Sequence, residues 1–177
     1  MCYTVRGLKF FAAPIEEKPS ERTGKCMIAL ACDHAALEMK REIIGLLDDM
    51  GLAYKDFGTY EPVSCHYPVY GERAARAVAS GECDRGILIC GTGIGMSLVA
   101  NKVAGIRCVV CSEPYSAQLS RMHNDTNILA LGARVVGAEL AKMIARIWLE
   151  TAFEGGRHQN RVDMITAIEQ GGTAQDA

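Results

Sequence analysis

The residues equipped for chemistry gather in a few short stretches, the densest being Cys90-Gly91-Thr92-Gly93-Ile94-Gly95. Glycines at alternate positions let several backbone N–H groups converge where a helix begins, and such a cradle holds an anion or a developing oxyanion. Cys90 would lie beside those N–H groups and the positive end of the helix dipole, surroundings that favour a thiolate. On residue type alone it reads equally as a nucleophile, a proton-abstracting base or an inert buried thiol. The spacing G-x-G-x-G differs from the G-x-G-x-x-G of dinucleotide sites, and no G-x-x-x-x-G-K-[ST] occurs, so nicotinamide and P-loop chemistry are disfavoured. A cysteine-phosphatase loop needs an arginine where Met96 stands.

Arg157 and Arg161 are four apart, which puts both guanidinium groups on one helix face. Paired arginines suit a phosphate, although a solvated surface face has the same pattern. His123-Asn124-Asp125 closes a helical segment, where the imidazole is either an acid–base group or a helix-ending cap. The eight cysteines (2, 26, 32, 65, 83, 90, 108 and 111) read as thiols rather than as a disulfide framework, since nothing argues for secretion. The single CxxC, Cys108 and Cys111, falls in a β-type run whose residues three apart face opposite sides. Apart from Cys90 these thiols are expected to be small buried hydrophobes. No metal and no cofactor are expected.

These groups need elements to hold them. Short runs apolar on both faces occur at 27–32, 86–90, 107–111 and 127–131, with a weaker one at 52–56, and they describe strands of a covered parallel sheet. Helical spacing marks the segments between, as in Leu37, Ile43, Ile44, Leu47 and Met50, or Leu140, Met143, Ile144, Ile147 and Trp148. Further helices are expected at 68–80, 95–102, 113–123 and 157–170. The fold is therefore a three-layer α/β/α sandwich, Rossmann-like, with about five parallel strands. Open parallel sheets bind ligands beyond the carboxyl ends of their strands. Those ends carry Asp33-His34, Gly58-Thr59, Cys90 with its loop, Ser112-Glu113, and Gly132 with Arg134.

Residues 1–25 lack a sustained period and read as an N-terminal extension, dispensable for catalysis; residues 26–177 form one domain. With 19 Lys+Arg against 21 Asp+Glu the chain has no basic field, which disfavours nucleic acid and anionic membrane as partners. No apolar window is long enough to span a bilayer, and no signal peptide is evident, so a soluble cytoplasmic protein is expected.

Asp33-His34, Tyr67-Pro68, Ile89 through Gly95, Ala100-Asn101-Lys102, Ser112 through Tyr115, His123-Asn124-Asp125, Arg134 through Gly137 and Glu154 through Arg157 strongly resemble, in order, the type B ribose-5-phosphate isomerases. Relatives within that family act on allose 6-phosphate and galactose 6-phosphate. The likeness covers 27–170 and implies a metal-independent aldose–ketose isomerase of the pentose phosphate pathway. It would interconvert ribose 5-phosphate and ribulose 5-phosphate through an enediolate, in a homodimer or tetramer whose sites are shared between subunits.

Carried over residue by residue, the resemblance makes Cys90 the base and His123 the proton donor that opens the furanose ring. Asp33, His34, Tyr67 and Asn124 would line the sugar. The N–H groups of Gly91, Thr92, Gly93, Ile94 and Gly95, with the Thr92 hydroxyl, would hold the enediolate oxygens. Arg134, Arg157 and Arg161 would hold the phosphate, with His34 assisting. One branch of the family uses a loop glutamate as base, and Met96 occupies that position here. The competing readings are a hexose-6-phosphate isomerase, a silent phosphosugar- or nucleotide-binding module, and a cysteine hydrolase. The last two are disfavoured, because the base and ring-opening residues are both present and nothing is evidently placed to activate Cys90 as a nucleophile.

Overall fold

A computed structural model describes residues 26–175, so the 1–25 extension lies outside the described residues. Five strands, β1 (Met27–Cys32), β2 (Ala53–Asp56), β3 (Arg85–Cys90), β4 (Cys108–Val110) and β5 (Ile128–Gly132), form an all-parallel sheet in the order β2-β1-β3-β5-β4. The helices are α1 (Leu37–Asp49), α2 (Tyr67–Ala79), α3 (Ile94–Ala100), α4 (Pro114–Asn124), α5 (Ala138–Glu150) and α6 (Arg157–Glu169). The three-layer α/β expectation holds, and the boundaries agree with the sequence reading to within a few residues.

Strand alternation builds two cores. Ile28, Leu30, Ile87, Ile89, Leu129 and Leu131 face one side, where α1, α4 and α5 cover them and Trp148 is fully buried. Ala29, Ala31, Leu88, Cys90 and Ala130 face the other, under α2 and α3. The small alanines on that second face let α2 and α3 close on the sheet, and Met96 fills the space between them at 0% exposure. A group so buried and apolar has no part in proton transfer.

β4 is shorter than the 107–111 run because its flanks are used otherwise. The Arg107 N–H donates to Asn127 Oδ1 at 2.8 Å, and Asn101, just past α3, clasps Cys108 through both its N–H (2.8 Å) and its C=O (2.9 Å). The expectation for the thiols needs one correction. Cys32, Cys83, Cys90 and Cys111 are buried, but Cys26 is exposed and Cys65 and Cys108 are half-buried, because they sit at strand or helix margins rather than within the layers. Cys2 lies outside the described residues.

The strand order reverses between β1 and β3, since β1 continues through α1 to β2 on one side and β3 continues through α3 to β4 on the other. The crevice of an open α/β sheet lies at such a reversal, beyond the carboxyl ends. Cys90 ends β3, and Asp33 directly follows β1.

Candidate functional site

At the carboxyl edge, Cys90 is 5% exposed, and its Sγ accepts the Gly93 N–H at 3.1 Å. The turn that makes this contact requires glycine at position 93, whose φ is +78°, a left-handed conformation that L side chains rarely adopt. Gly132, at the end of β5, is required for another reason: a Cβ there would lie 2.8 Å from the Thr92 carbonyl. The loop is thus pressed onto the neighbouring strand end, and Gly91 carries the Arg134 N–H on its carbonyl at 2.9 Å. The Arg134 side chain lies along the same loop, 3.6 Å from where a Gly91 Cβ would be.

The Tyr67 ring, at the start of α2, covers Gly95, within 2.9 Å of an added Cβ. Asp33 is nearly buried and accepts the Ala35 N–H at 2.9 Å, which turns the chain into α1. The Cys65 N–H reaches His34 Nδ1 at 3.4 Å. A cavity of about 570 Å³ opens beside His34, bounded by Glu38, Arg41, Tyr60 and Gly137. This edge therefore gathers Asp33, His34, Tyr67, Cys90, Thr92, the glycine loop and Arg134.

The opposite edge holds the rest of the expected set. His123 and Asn124 end α4, which begins just after β4 and runs back past the sheet; its 11 residues span about 16 Å. There the Arg107 side chain, at the entrance of β4, donates from Nε to the Asn124 carbonyl at 3.0 Å. Asp125 adopts φ +45° and binds Arg121 (2.7 Å) and Arg107 (3.0 Å) through its carboxylate, which fixes the turn. α6 packs on α4, so Arg157 and Arg161 lie at this same edge. Within one chain, then, His123, Asn124, Arg157 and Arg161 are separated from Cys90 and Arg134 by the depth of the sheet.

The sequence reading assigned no role to two residues of this second cluster. His158 is 4% exposed and stacks on His123, ring centroids 4.2 Å apart and planes 4° from parallel. Glu154 presents Oε2 to both imidazoles, 3.4 Å from His158 Nε2 and 3.8 Å from His123 Nε2. The i,i+4 spacing of Glu154 and His158 was a visible signal, but the stack depends on how α6 meets α4.

His123, Glu154 and His158 are also the group among the described residues whose ligand atoms could approach a metal, lying within 4.8 Å of one another. Parallel rings aim their lone pairs side by side rather than at one point. Arg157 Nε moreover lies 3.4 Å from His158 Nε2, and a guanidinium opposes a cation. The donor set therefore suits a proton better than a metal.

Burial, then the charges of His123, Arg157 and Arg161, push His158 below the ordinary histidine range. The unfolded chain takes up a proton near pH 6.5 that the folded chain refuses, so stability should fall as pH drops from roughly 7 through 6. Thermal melts across that range should show a steeper decline for the wild type than for His158→Phe, which keeps a ring in the stack. Equal slopes would show that His158 takes its proton without hindrance in the folded chain.

An all-parallel five-stranded sheet with a glycine loop and a buried thiol at the end of its central strand, and no nucleotide fingerprint, makes this an open α/β protein. The Ribose/Galactose Isomerase family model matches residues 28–165, and the chain belongs to that family. It is 61% identical over 143 residues to ribose-5-phosphate isomerase B of Escherichia coli, covering 81% of this chain and 96% of that one. It is 46% identical over 145 residues to D-erythrulose-4-phosphate isomerase of Pectobacterium atrosepticum, covering 80% and 94%. The structure of ribose-5-phosphate isomerase B from Clostridium thermocellum superposes with a TM-score of 0.80 at 52% identity, over 82% of this chain and 98% of that one. Among the described residues no helix is long and apolar enough to cross a membrane.

Proposed function

We propose that this chain interconverts ribose 5-phosphate and ribulose 5-phosphate in the cytoplasm, at sites built from two copies of itself. The observation that carries this reading is the Gly93 N–H on Cys90 Sγ at 3.1 Å, at the mouth of a strand reversal. The N–H donor fixes the sulfur at this edge, where its lone pair is placed to take a proton from carbon. Neighbouring N–H groups of the same loop remain for the substrate oxygens.

His123 protonates the ring oxygen of the furanose as the C1 hydroxyl gives its proton to water, which opens the sugar to its aldehyde. Cys90 removes the C2 proton, and the negative charge moves onto the C1 oxygen, where the N–H groups of the 91–95 loop and the Thr92 hydroxyl oppose it. Returning the proton to C1 gives the ketose, with the C2 hydroxyl proton passing to the C1 oxygen. Asp33, His34, Tyr67 and Asn124 line the sugar. Arg134, Arg157 and Arg161 grip the phosphate and hold the reacting carbons in register, a use of remote binding energy for positioning.

The second copy is needed because His123, Asn124, Arg157 and Arg161 lie at the sheet edge opposite Cys90 in a single chain. Apolar residues surround the Cys90 loop for such a partner to cover: Ile94 and Leu98 are more than half exposed on α3, as are Tyr115 and Val135 nearby. A homodimer with isologous contacts closes two such sites at once.

A coupled assay comparing ribose 5-phosphate with allose 6-phosphate at equal concentration tests the substrate, and faster turnover of the pentose is expected. Turnover of neither would leave only a binding protein. Arg157→Ala and Arg161→Ala should each raise KM for ribose 5-phosphate steeply, since each removes a charge-assisted hydrogen bond worth about 1.5–3 kcal/mol. Unchanged steady-state constants in both variants would remove the phosphate from this helix.

A further inference from the structure

Ring opening asks more of His123 than presence: the imidazole must carry a proton and keep its orientation until the sugar arrives. Three features of the amino edge bear on this. Glu154 is anchored by its own backbone, whose N–H donates to the Met122 carbonyl at 3.1 Å, next to His123 in sequence. Its Oε2 lies 3.8 Å from His123 Nε2, close enough to pair with a protonated ring. His158 closes the other side as a flat wall, stacked at 4.2 Å.

The neighbouring charges divide cleanly. The Asp125 carboxylate, one turn-residue beyond Asn124, is occupied by Arg107 and Arg121. Arg157 approaches His158 rather than His123. Among the described residues Glu154 is therefore the acid that faces His123. Burial, then the charges of His123 and of the adjacent guanidinium groups, disfavour a proton on His158, so the stacked pair leaves the proton to His123.

We infer that Glu154 is a positioning residue for the ring-opening step, pairing with protonated His123 and holding its ring against His158. The inference rests on the proposed role of His123 and adds a residue that touches neither the sugar nor its reacting carbons. It follows the logic by which an acid–base imidazole is oriented by a third group.

The test uses an asymmetry of the substrates. In ribulose 5-phosphate the oxygen that would close a furanose on C2 carries the phosphate, so the ketose is acyclic and its consumption needs no ring opening. Ribose 5-phosphate is cyclic. A variant defective only in ring opening must draw on aldehyde formed spontaneously, so its forward rate stops rising as enzyme is added. Its reverse rate stays proportional to enzyme.

His123→Ala is expected to show that plateau. Glu154→Gln should show it as well, with the forward rate about tenfold below wild type at the same, plateau-reaching enzyme concentration and reverse turnover within about twofold of wild type. Glu154→Asp, which keeps the charge, should recover most of the forward rate. If Glu154→Gln remains proportional in both directions while His123→Ala plateaus, the inference falls and the role of His123 stands. If His123→Ala itself remains proportional, the ring-opening assignment fails and takes this inference with it. If both Glu154 variants lose forward and reverse rates equally, the residue is structural and the inference is overturned.

Discussion

Cys90→Ala is expected to lower turnover of ribose 5-phosphate in both directions by at least about a hundredfold, the usual contribution of a positioned base. The fold should survive, because the side chain is small, lies at the end of β3 and is replaced by another small apolar group. Substrate affinity should survive too, since the loop N–H groups and the arginines are untouched. Cys90→Ser is expected to fail almost as badly, because a hydroxyl in the same place is a far weaker base than a thiolate. No acid in the glycine loop can substitute: Met96 is fully buried and apolar. Iodoacetamide should inactivate the wild type by alkylating Cys90, and saturating substrate should slow that inactivation. Peptide mapping separates this from alkylation of Cys65, which is half-buried beside His34. Near wild-type turnover by Cys90→Ala would mean that another group moves the proton.

The sheet was readable in the sequence because its strands are buried on both faces, so 27–32 and 86–90 stand out as unbroken apolar runs. Most of the carboxyl-edge residues followed from that reading, since they lie within a few residues of a strand end, whereas Tyr67 opens α2 well past β2 and came from the resemblance alone. Asp33, Cys90 and Arg134 are where that rule puts them. The amino-edge residues were harder. His123 ends a helix, and only the return path of α4 past the sheet tells which edge it reaches. The stack of His123 on His158 depends on the packing of α6 against α4, which has no local sequence signature. Glu154 stands in a matched motif, but its place beside His123 was hidden for the same reason. Its 3.4 Å approach to His158 is an i,i+4 neighbourhood, but its approach to His123 crosses from one element to another. The half-buried cysteines mark a third limit, because composition predicts that thiols are buried on average and cannot say which lie at a margin.

The division of the site between two edges leads to the second large effect. Cys90→Ala and His123→Ala homodimers should each be nearly inactive with ribose 5-phosphate, one lacking the base and the other the ring-opening acid. Unfolding and refolding the two variants together lets chains pair at random, so half of the dimers carry one chain of each kind. In such a heterodimer one site combines both lesions, while the other combines Cys90 from one chain with His123 from its partner and is intact. The mixture should therefore regain about a quarter of wild-type activity per chain, as an isologous dimer with two shared sites requires. The same variants mixed without exchange of chains should regain nothing. A site completed within a single chain predicts the opposite, because each heterodimer would then hold two separately damaged sites and no intact one. Activity restored only after chain exchange thus reads out where His123 acts, and its absence after verified exchange would mean that Cys90 and His123 serve the same chain.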